Sequence, residues 1–568
     1  MFLNNFIIGI AEDVTGYFVY PNFYDLFNFN VLAMYGYPHG IPHSIFSYSE
    51  PGVLAILFLL ARYFNTIIVF NLFVLVMTVI TIFCSYKLFN LFSISRALSF
   101  GFSVVVICSP YFIYHSRSHP QLIQIWLPIL FFYFLFVGRV NEGLNNDQFG
   151  GRLVIKYRNY ILGIILGLSI LSSNYLGFFL LIFITSFYFF EVFLNRRSKE
   201  SLLIILKEFF VLIGIGAFIS AIWFVSFYFN QSALTTSGDL GQYSRKIDDF
   251  VTFSSRPWYY FLPSTDNPFL GSYSQSVIDF LQNKWGYYLT QNYYKDEHSS
   301  SYLGFVSIVF SLIGFYRIKK EWSININKSR IFLSLFLTEI LLILFSLPPY
   351  FTLAGYKILM PSYLLFLVFP MFRTLSRIGI YVFVINAIFA VYGVSYFLRK
   401  IKNRFILILI PALISAVFLF EVFVPIKISL IHPIPEFVVY LKSLDSGPIS
   451  VYPYKYTSYM FFWMKDYGKP LVNPRDFKYQ GFDSKLFTAN LNTCIGLKEA
   501  QSLGTKYIVE ITNDSEIYFS ESKNLRLIKT FEQSSLEVDS SNWIFSVVDL
   551  RAHPNIRVFE LVGSFSCE

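Results

Sequence analysis

Residues 378–424 read IGIYVFVINAIFAVYGVSYFLRKIKNRFILILIPALISAVFLFEVFV, two long apolar runs joined by a short basic loop. Each run, 378–397 and 405–424, approaches the roughly 20 apolar residues that a membrane-spanning helix needs. The loop between them carries Arg399, Lys400, Lys402 and Arg404. Short loops rich in Lys and Arg stay in the cytoplasm. This stretch therefore predicts two transmembrane helices whose connection lies on the cytoplasmic side.

The same pattern recurs along the chain. Further apolar runs occupy 65–86, 97–113, 120–138, 159–194 (long enough for two short spans that turn at Ser172, Ser173 and Asn174), 208–229, 303–318 and 331–348. Residues 1–10 look like half a span, so we expect about 10–11 transmembrane helices. Every second connection is basic: Lys87 and Arg96; Arg139, Arg152, Lys156 and Arg158; Arg196, Arg197 and Lys199; Arg317, Lys319, Lys320, Lys328 and Arg330. The alternation predicts that 11–64, 114–119, 230–302, 349–377 and 425–568 lie outside the cytoplasm.

The composition supports a membrane protein. The 568 residues are 55% hydrophobic, 20% aromatic and only 14% charged, more apolar surface than a soluble protein can bury. The net charge of +9 is carried largely by the cytoplasmic loops, so the positive-inside rule explains it and no nucleic-acid partner is needed.

The character of the chain changes after about residue 427. Ile449–Val451 and Tyr507–Ile511 read as strands, and Pro435–Leu444 and Leu497–Leu503 read as helices. We therefore expect a transmembrane domain over 1–427, with large outer loops at 11–64 and 230–302, followed by a small extracytoplasmic α/β domain over 428–568.

Four cysteines divide into two pairs by their surroundings. Cys84 and Cys108 lie in apolar runs and are expected to be inert. Cys494 and Cys567 lie in the outer polar region, where an oxidising compartment permits a disulfide. Two free thiols are the preferred interpretation, because sequence gives no geometry.

The first outer segment contains two carboxylates near its start. Glu12 and Asp13 follow the apolar residues 1–10, and one carboxylate at a membrane surface can act as a general base toward an acceptor hydroxyl. The alternative is that both are solvated residues at a helix end. Further along, Ser49-Glu50-Pro51 reads mainly as a helix start, with Ser49 or Glu50 as cap and Pro51 at the first position; a role for Glu50 in a site is the minor option.

Two other outer segments concentrate basic residues. Residues 114–121 read YHSRSHPQ, and His115, Arg117 and His119 in so short a loop are functional candidates. Arg117 beside a helix start suits a phosphate, whereas snorkelling at the interface is the alternative. A zinc site is not expected, because the glutamate of an HExxH motif is missing. Arg373 and Arg377 lie outside a span against the positive-inside bias, which indicates a specific anion such as a lipid phosphate.

Together these segments resemble the GT-C superfamily of membrane glycosyltransferases, and most closely its bacterial members. The resemblance rests on Glu12-Asp13, on Ser49-Glu50-Pro51, on His119-Pro120-Gln121 with Trp126 and Pro128, and on 370–377. It implies a GT-C-like, mainly α fold, a sugar donor linked to polyprenyl phosphate, and a glycan, lipid or protein acceptor outside a bacterial cytoplasmic membrane. Asp13 would be the base, with Glu12 second, and Arg117, His119, Arg373 or Arg377 would meet the donor phosphate.

Other features of the sequence leave alternatives open. No dinucleotide-binding glycine motif or P-loop occurs, as expected for a lipid-linked donor. A transporter or flippase would place ionisable residues at mid-depth, and a non-catalytic scaffold of envelope-polymer assembly would keep the fold without needing Asp13. The sequence indicates no definite cofactor; an acidic pair can hold Mg²⁺ or Mn²⁺, but two carboxylates without further oxygen ligands are a weak site.

Overall fold

A computed structural model of the protein describes residues 6–8, 37–38, 51–137, 139, 151–196, 199–235, 246–284, 293–322, 326–353, 356–431, 433–474, 478–479, 482–512, 517–534 and 545–563. The helices before residue 425 are α1 Pro51–Ala61, α2 Thr66–Asn90, α3 Arg96–Cys108, α4 Pro110–Ser118, α5 Trp126–Phe136, α6 Gly151–Ser172, α7 Asn174–Asn195, α8 Lys199–Thr235, α9 Ile247–Thr252, α10 Gly271–Lys284, α11 Lys295–His298, α12 Phe305–Glu321, α13 Ile326–Ser346, α14 Ser362–Val368, α15 Gly379–Leu398 and α16 Arg404–Val422. Short 3₁₀ turns lie at Pro257–Tyr260, Ser299–Ser301 and Leu375–Ile378.

The mainly helical, polytopic membrane architecture is confirmed. Seven helical segments of the described chain are long and apolar enough to cross a bilayer, and an eighth is counted if α3 and the bent α4 form one span. The seven are Thr66–Asn90, Asn174–Asn195, Glu200–Val225, Lys295–Glu321, Lys328–Ser346, Leu375–Leu398 and Arg404–Val422. The predicted span 120–138 contains only the 11-residue α5, because residues 120–125 form a turn. The turn between α6 and α7 falls at Ser173, as the sequence predicts.

The interpretation of residues 1–10 as half a span is wrong where the structure describes them. Phe6–Ile8 form strand β1, which pairs antiparallel with β4, Ile426–Leu430. The partner strand lies more than 400 residues further along the chain. A three-residue apolar run therefore gives no local sign that it forms a strand.

Helix α15 is the centre of the membrane part. Every residue of its most apolar stretch is buried inside the protein, and it packs directly on α12. A Cβ atom on Gly393 would lie 2.0 Å from the Phe310 carbonyl oxygen, and one on Gly314 would lie 2.4 Å from that of Phe389. Only glycine permits this backbone-to-backbone approach, which is the usual device of closely packed membrane helices.

The break between α3 and α4 determines where the polar residues of this region lie. The two helices are bent by 43° at Ser109–Pro110, because Pro110 has no N–H to continue α3. Ser109 joins the helix ends: its hydroxyl donates to Val106 O at 2.7 Å and accepts from Phe112 N at 3.4 Å. As a result, α4 points toward the protein interior, where the side chains of His115 and Arg117 are both buried.

The described part of the chain also contains four small sheets. The strands not yet given are β2 Tyr350–Leu353, β3 Tyr356–Leu359, β5 Ile449–Tyr452, β6 Lys478–Tyr479, β7 Phe482–Asp483, β8 Tyr507–Thr512, β9 Leu525–Phe531, β10 Phe545–Asp549 and β11 Asn555–Leu561. One sheet has the order β1-β4-β10 and another β5-β8-β11-β9, while β2-β3 and β6-β7 form hairpins. In the larger sheet β5 and β8 are parallel and β11 is antiparallel to both neighbours.

The region after residue 427 contains both helices and strands, in agreement with the elements predicted from the sequence. The helices there are α17 Glu436–Ser443, α18 Thr457–Tyr467, α19 Ser484–Asn490 and α20 Cys494–Ser502. The strand predictions at β5 and β8 and the helix predictions at α17 and α20 are confirmed, whereas the division into two domains at residue 427 stays a prediction.

Cys494 is disulfide-bonded, so the preference for a free thiol is wrong there; Cys567 lies outside the described residues. Cys84 and Cys108 are free.

Candidate active site

Three short segments from distant parts of the chain meet at the predicted outer side of the membrane. They are α4, the single turn α11 with the 3₁₀ turn Ser299–Ser301 that follows it, and the 3₁₀ turn Leu375–Ile378. Serine hydroxyls hold the second segment in shape, since Ser300 Oγ donates to Asp296 O at 2.7 Å. The backbone N–H of Ser376 donates to Phe253 O at 3.1 Å and fixes the third. These contacts bring Glu297, Arg377 and His115 into one buried cluster.

Glu297 and Arg377 form the centre of this cluster. Arg377 Nε lies 3.1 Å from both carboxylate oxygens of Glu297, and Nη2 donates a further hydrogen bond to Oε1. The side chain of Arg377 is only 8% exposed and that of Glu297 only 10%. The guanidinium also lies over the ring of Tyr175, 4.7 Å from its centroid. A bidentate, buried pair of this kind fixes both side chains and leaves little freedom for either.

His115 lies beside this pair with unused hydrogen-bonding capacity. It is fully buried, and both Glu297 and Arg377 act on it electrostatically. Among the residues that the structure describes, neither ring nitrogen of His115 has a hydrogen-bond partner, and the same holds for the hydroxyl of Tyr111, whose ring centroid is 4.3 Å away. Buried polar groups are usually paired, so these atoms are candidates to contact a bound substrate.

His119 extends the cluster toward the protein surface. Its ring centroid lies 5.9 Å from that of His115, and the residue is partly buried. Burial lowers the pKa of His119 to about 4, and the positive charge of Arg377 acts in the same direction against a weaker opposing effect of Glu297. The imidazole is therefore neutral at neutral pH and can accept or donate a hydrogen bond.

The lowered pKa of His119 predicts a loss of stability in acid. The unfolded chain binds a proton near pH 6.5, whereas the folded protein resists it until about pH 4, so stability falls as the pH drops through this window. We expect His119→Asn to remove up to about 3 kcal/mol of the acid-induced loss. The measurement is the melting temperature between pH 7.5 and about 4 in lipid. His553→Asn is the control, and an equal pH response of wild type and His119→Asn would contradict the assignment.

Arg117 belongs to a neighbouring cluster rather than to this one. Its guanidinium donates to Pro425 O, lies over the Tyr114 ring at 4.6 Å and is 3.9 Å from Asp266 Oδ2. Asp266 is held more closely by Lys295 Nζ at 2.8 Å and by the Tyr114 hydroxyl at 3.0 Å. Burial acts to raise the pKa of Asp266, but these partners outweigh it and lower the pKa. The cluster ties α4 to the start of α11 and so positions Glu297.

The remaining outer basic residues have other partners. Arg373 lies 3.7 Å from Asp249 and over the ring of Phe253, with its side chain 32% exposed. His298 stacks on Tyr259 at 4.8 Å; its Nδ1 accepts from Tyr294 N at 3.2 Å, so Nε2 carries the proton and donates to Thr252 O at 2.8 Å. Both hydrogen bonds of the His298 imidazole are used to hold the loop.

The structure thus brings together part of the predicted site. His115, His119 and Arg377 meet, Arg117 lies in the adjoining cluster, and Arg373 does not join them. Asp13, Glu12 and Glu50 lie outside the described residues. Glu297 was missed as a site residue; the available signal was its place in Asp296-Glu297-His298, a charged segment just before an apolar span. No group of three or more metal-ligating side chains occurs within the described part of the chain.

Comparisons with known proteins place the chain in a family. A family model described as a domain of unknown function, DUF6311, matches residues 5–417. The chain belongs to the DUF6311 family. The match ends within α16, so it covers nearly all of the membrane part and each of the three segments that form the cluster. No curated protein matches the sequence of this DUF6311 member.

Among the solved structures that align with this chain are archaeal oligosaccharyltransferases. The apo form of the Archaeoglobus fulgidus oligosaccharyltransferase aligns with 12% identity and a TM-score of 0.49, over 89% of this chain and 66% of that one. The oligosaccharyltransferase AglB of the same organism, in complex with an inhibitory peptide and a dolichol-phosphate, aligns with 11% identity and a TM-score of 0.47, with the same coverage. The DUF6311 chain spans just under two thirds of these neighbours.

Proposed function

We propose that this protein is an integral membrane glycosyltransferase of the GT-C type, which moves a hexosyl or pentosyl unit from a polyprenyl-phosphate donor to an extracytoplasmic acceptor. The observation that carries the proposal is the meeting of His115, His119 and Arg377 with Glu297 in one buried cluster at a membrane boundary. Polar groups at such a depth are costly and are retained mainly for function. A sugar on a lipid phosphate reaches this depth by lateral diffusion, so no nucleotide-binding fold is needed.

The chemistry divides between the two ends of the reacting bond. The acceptor hydroxyl loses its proton to a carboxylate and bonds to the anomeric carbon, while the bond from that carbon to the phosphate oxygen breaks and the lipid phosphate leaves. Arg377 stabilises the charge that develops on this phosphate. One ring N–H of His115 and one ring N–H of His119 donate hydrogen bonds to the oxygens of this phosphate. Glu297 is a positioning residue, because it fixes the Arg377 guanidinium from the opposite side.

The carboxylate that accepts the proton is Asp13, with Glu12 as the second candidate and Glu50 as a further substrate contact. This assignment rests on the sequence resemblance to GT-C enzymes. Arg117 and Arg373 were also candidates to bind the phosphate. Their contacts with Asp266 and Asp249 support positioning roles instead, so neither is assigned to the donor here.

The proposed location follows from the basic loops. The cluster and the α/β region after residue 427 lie on the side opposite the Lys- and Arg-rich connections, which is extracytoplasmic by the positive-inside rule. The membrane is the cytoplasmic membrane of a bacterium, and the partners are the lipid-linked donor, membrane lipids and an envelope glycan, lipid or protein acceptor. Mg²⁺ or Mn²⁺ would need oxygen ligands in addition to Glu12 and Asp13.

Sugar transfer by the purified protein in lipid, from a panel of polyprenyl-phosphate sugars, tests the proposal. We expect turnover with at least one donor, and His115→Asn and His119→Asn should each lower kcat/KM for that donor by about 10- to 100-fold, the effect of one hydrogen bond to a charged group. His553→Asn, which changes a buried histidine of the α/β region, is the matched control and should leave transfer unchanged. Absence of turnover with every donor, in a folded sample, would favour the scaffold.

One observation favours transport as a second candidate. Glu339 lies in the middle of α13 and its side chain is buried, so an ionisable residue of the kind expected for a transporter occurs within this span. An intramembrane carboxyl is a common feature of transport pathways. The test is movement of a lipid-linked sugar across the membrane of liposomes that contain the protein. Loss of this movement in Glu339→Gln, with sugar transfer unchanged, would establish the transport activity.

A further inference from the structure

A second polar cavity lies at the opposite, basic face of the membrane part. It has a volume of about 370 Å³ and is formed where α2 ends and α3, α12, α13 and α15 begin or end. Four cationic side chains line it, one from each of four separate segments: Arg96, Arg317, Lys328 and Arg399. Asn90 and Ser93 add polar groups to the same wall. None of these residues belongs to the cluster around Glu297.

Among the described residues that line this cavity, four are basic and none is acidic. A nearby carboxylate, Glu321, lies 2.8 Å from Arg317 Nε and 3.5 Å from Arg399 Nη1, and it also accepts from the Tyr392 hydroxyl. The other basic cluster on this face is different, because Arg139 and Arg158 are met by Glu208 and Glu191 in equal number.

Part of the cavity is rigid. Arg317 is 1% exposed; its guanidinium lies 3.6 Å from the centroid of the Tyr392 ring and donates to Tyr392 O at 3.0 Å. Arg96 and Arg399 lie at the rim and are exposed. A buried, fixed cation together with exposed cations at the rim suits a multivalent anion, because several guanidinium and ammonium groups can bind its oxygens.

The helices that carry these cations also border an apolar cleft. Phe315 of α12, Trp322 directly after that helix and Phe332 of α13 line a space of about 750 Å³, which Lys319 also borders. Phe332 lies 4.8 Å from the Tyr392 ring, which lines the cationic cavity. Basic pockets between membrane helices on the cytoplasmic side are typical binding places for anionic lipid headgroups.

We infer that the cavity lined by Arg96, Arg317, Lys328 and Arg399 binds the phosphate of an anionic lipid headgroup from the leaflet at the basic face. This site is separate from the proposed donor site and does not depend on glycosyl transfer. A soluble phosphate ester carries the same phosphate group as the lipid headgroup, so the experiment has to distinguish the two ligands.

The test compares two double variants of equal charge. Arg96→Gln with Arg399→Gln removes two cavity cations and leaves the buried Arg317 in place. Lys400→Gln with Lys402→Gln removes two exposed charges from the same loop outside the cavity. Each protein is placed in nanodiscs that mix phosphatidylglycerol with phosphatidylcholine, and the lipid that stays bound is counted by native mass spectrometry. Binding of soluble glycerol phosphate in neutral detergent is measured in parallel by calorimetry.

We expect wild type and the Lys400/Lys402 variant to retain phosphatidylglycerol selectively, and the Arg96/Arg399 variant to retain at least about tenfold less. Selective retention without binding of soluble glycerol phosphate assigns the site to a lipid. Binding of both assigns it to the phosphate group in general and overturns the restriction to lipid. Equal losses in the two variants would show only surface attraction and would overturn the inference, and so would the absence of selective retention by wild type.

Discussion

Asp13→Asn is expected to lower sugar transfer by about 10²- to 10⁴-fold, the usual contribution of a general base. The amide has nearly the shape of the carboxylate but cannot accept the acceptor's proton. The effect should therefore appear in kcat, with little change in the melting temperature.

Matched substitutions show whether the base is assigned to the right residue. Glu12→Gln and Glu50→Gln make the same change at the other two acidic candidates and should have smaller effects. Asp248→Asn makes it at an exposed carboxylate of the outer loop and should have none. If Glu12→Gln abolishes transfer and Asp13→Asn does not, the base is Glu12; if Glu12→Gln, Asp13→Asn and Glu50→Gln are all fully active, none of these three carboxylates is the base.

Arg377→Met is expected to destabilise the protein by about 3–5 kcal/mol, because it leaves the Glu297 carboxylate buried without its partner. Arg373→Met is the matched control from the same segment. Its ion pair with Asp249 is long and the side chains are 32% and 37% exposed, so we expect a loss of less than about 1 kcal/mol. Thermal unfolding in lipid measures both. Equal shifts for the two variants would contradict the burial of the Arg377–Glu297 pair.

A double variant separates the structural effect of Arg377 from its catalytic one. Arg377→Met with Glu297→Leu removes both charges and should recover most of the lost stability, since an apolar pair can replace a buried ion pair at little cost. Sugar transfer should nevertheless stay low, because no cation remains beside the donor phosphate. Recovery of both stability and transfer would show that Arg377 serves the fold alone.

Much of the fold was predictable because apolar length and basic loops are local signals. The helix start at Pro51, the turn at Ser173 and the hairpin of α15 and α16 follow from composition within a few residues. Strand β1 was not predictable, since its partner β4 lies at the far end of the chain. The bend at Ser109 had a signal in Pro110, but apolar length alone favours one continuous span over 97–113.

The site was predictable in its parts but not in its assembly. The unusual density of basic residues in 114–119 and 370–377 pointed to His115, His119 and Arg377. It also pointed to Arg117 and Arg373, because sequence cannot show that Asp266 and Asp249 already meet them. Glu297 was overlooked since its function depends on Arg377, 80 residues further along.

Helix α15 connects the two polar regions of the molecule mechanically. The 3₁₀ turn that carries Arg377 runs directly into its outer end, and Tyr392 and Arg399 lie near its other end. An unbroken helix of 20 residues is about 30 Å long and resists compression along its axis. Because Gly314 and Gly393 interlock α15 with α12, sliding of α15 alone would meet a steric barrier. The two polar regions are therefore held at a fixed separation by the same helix pair.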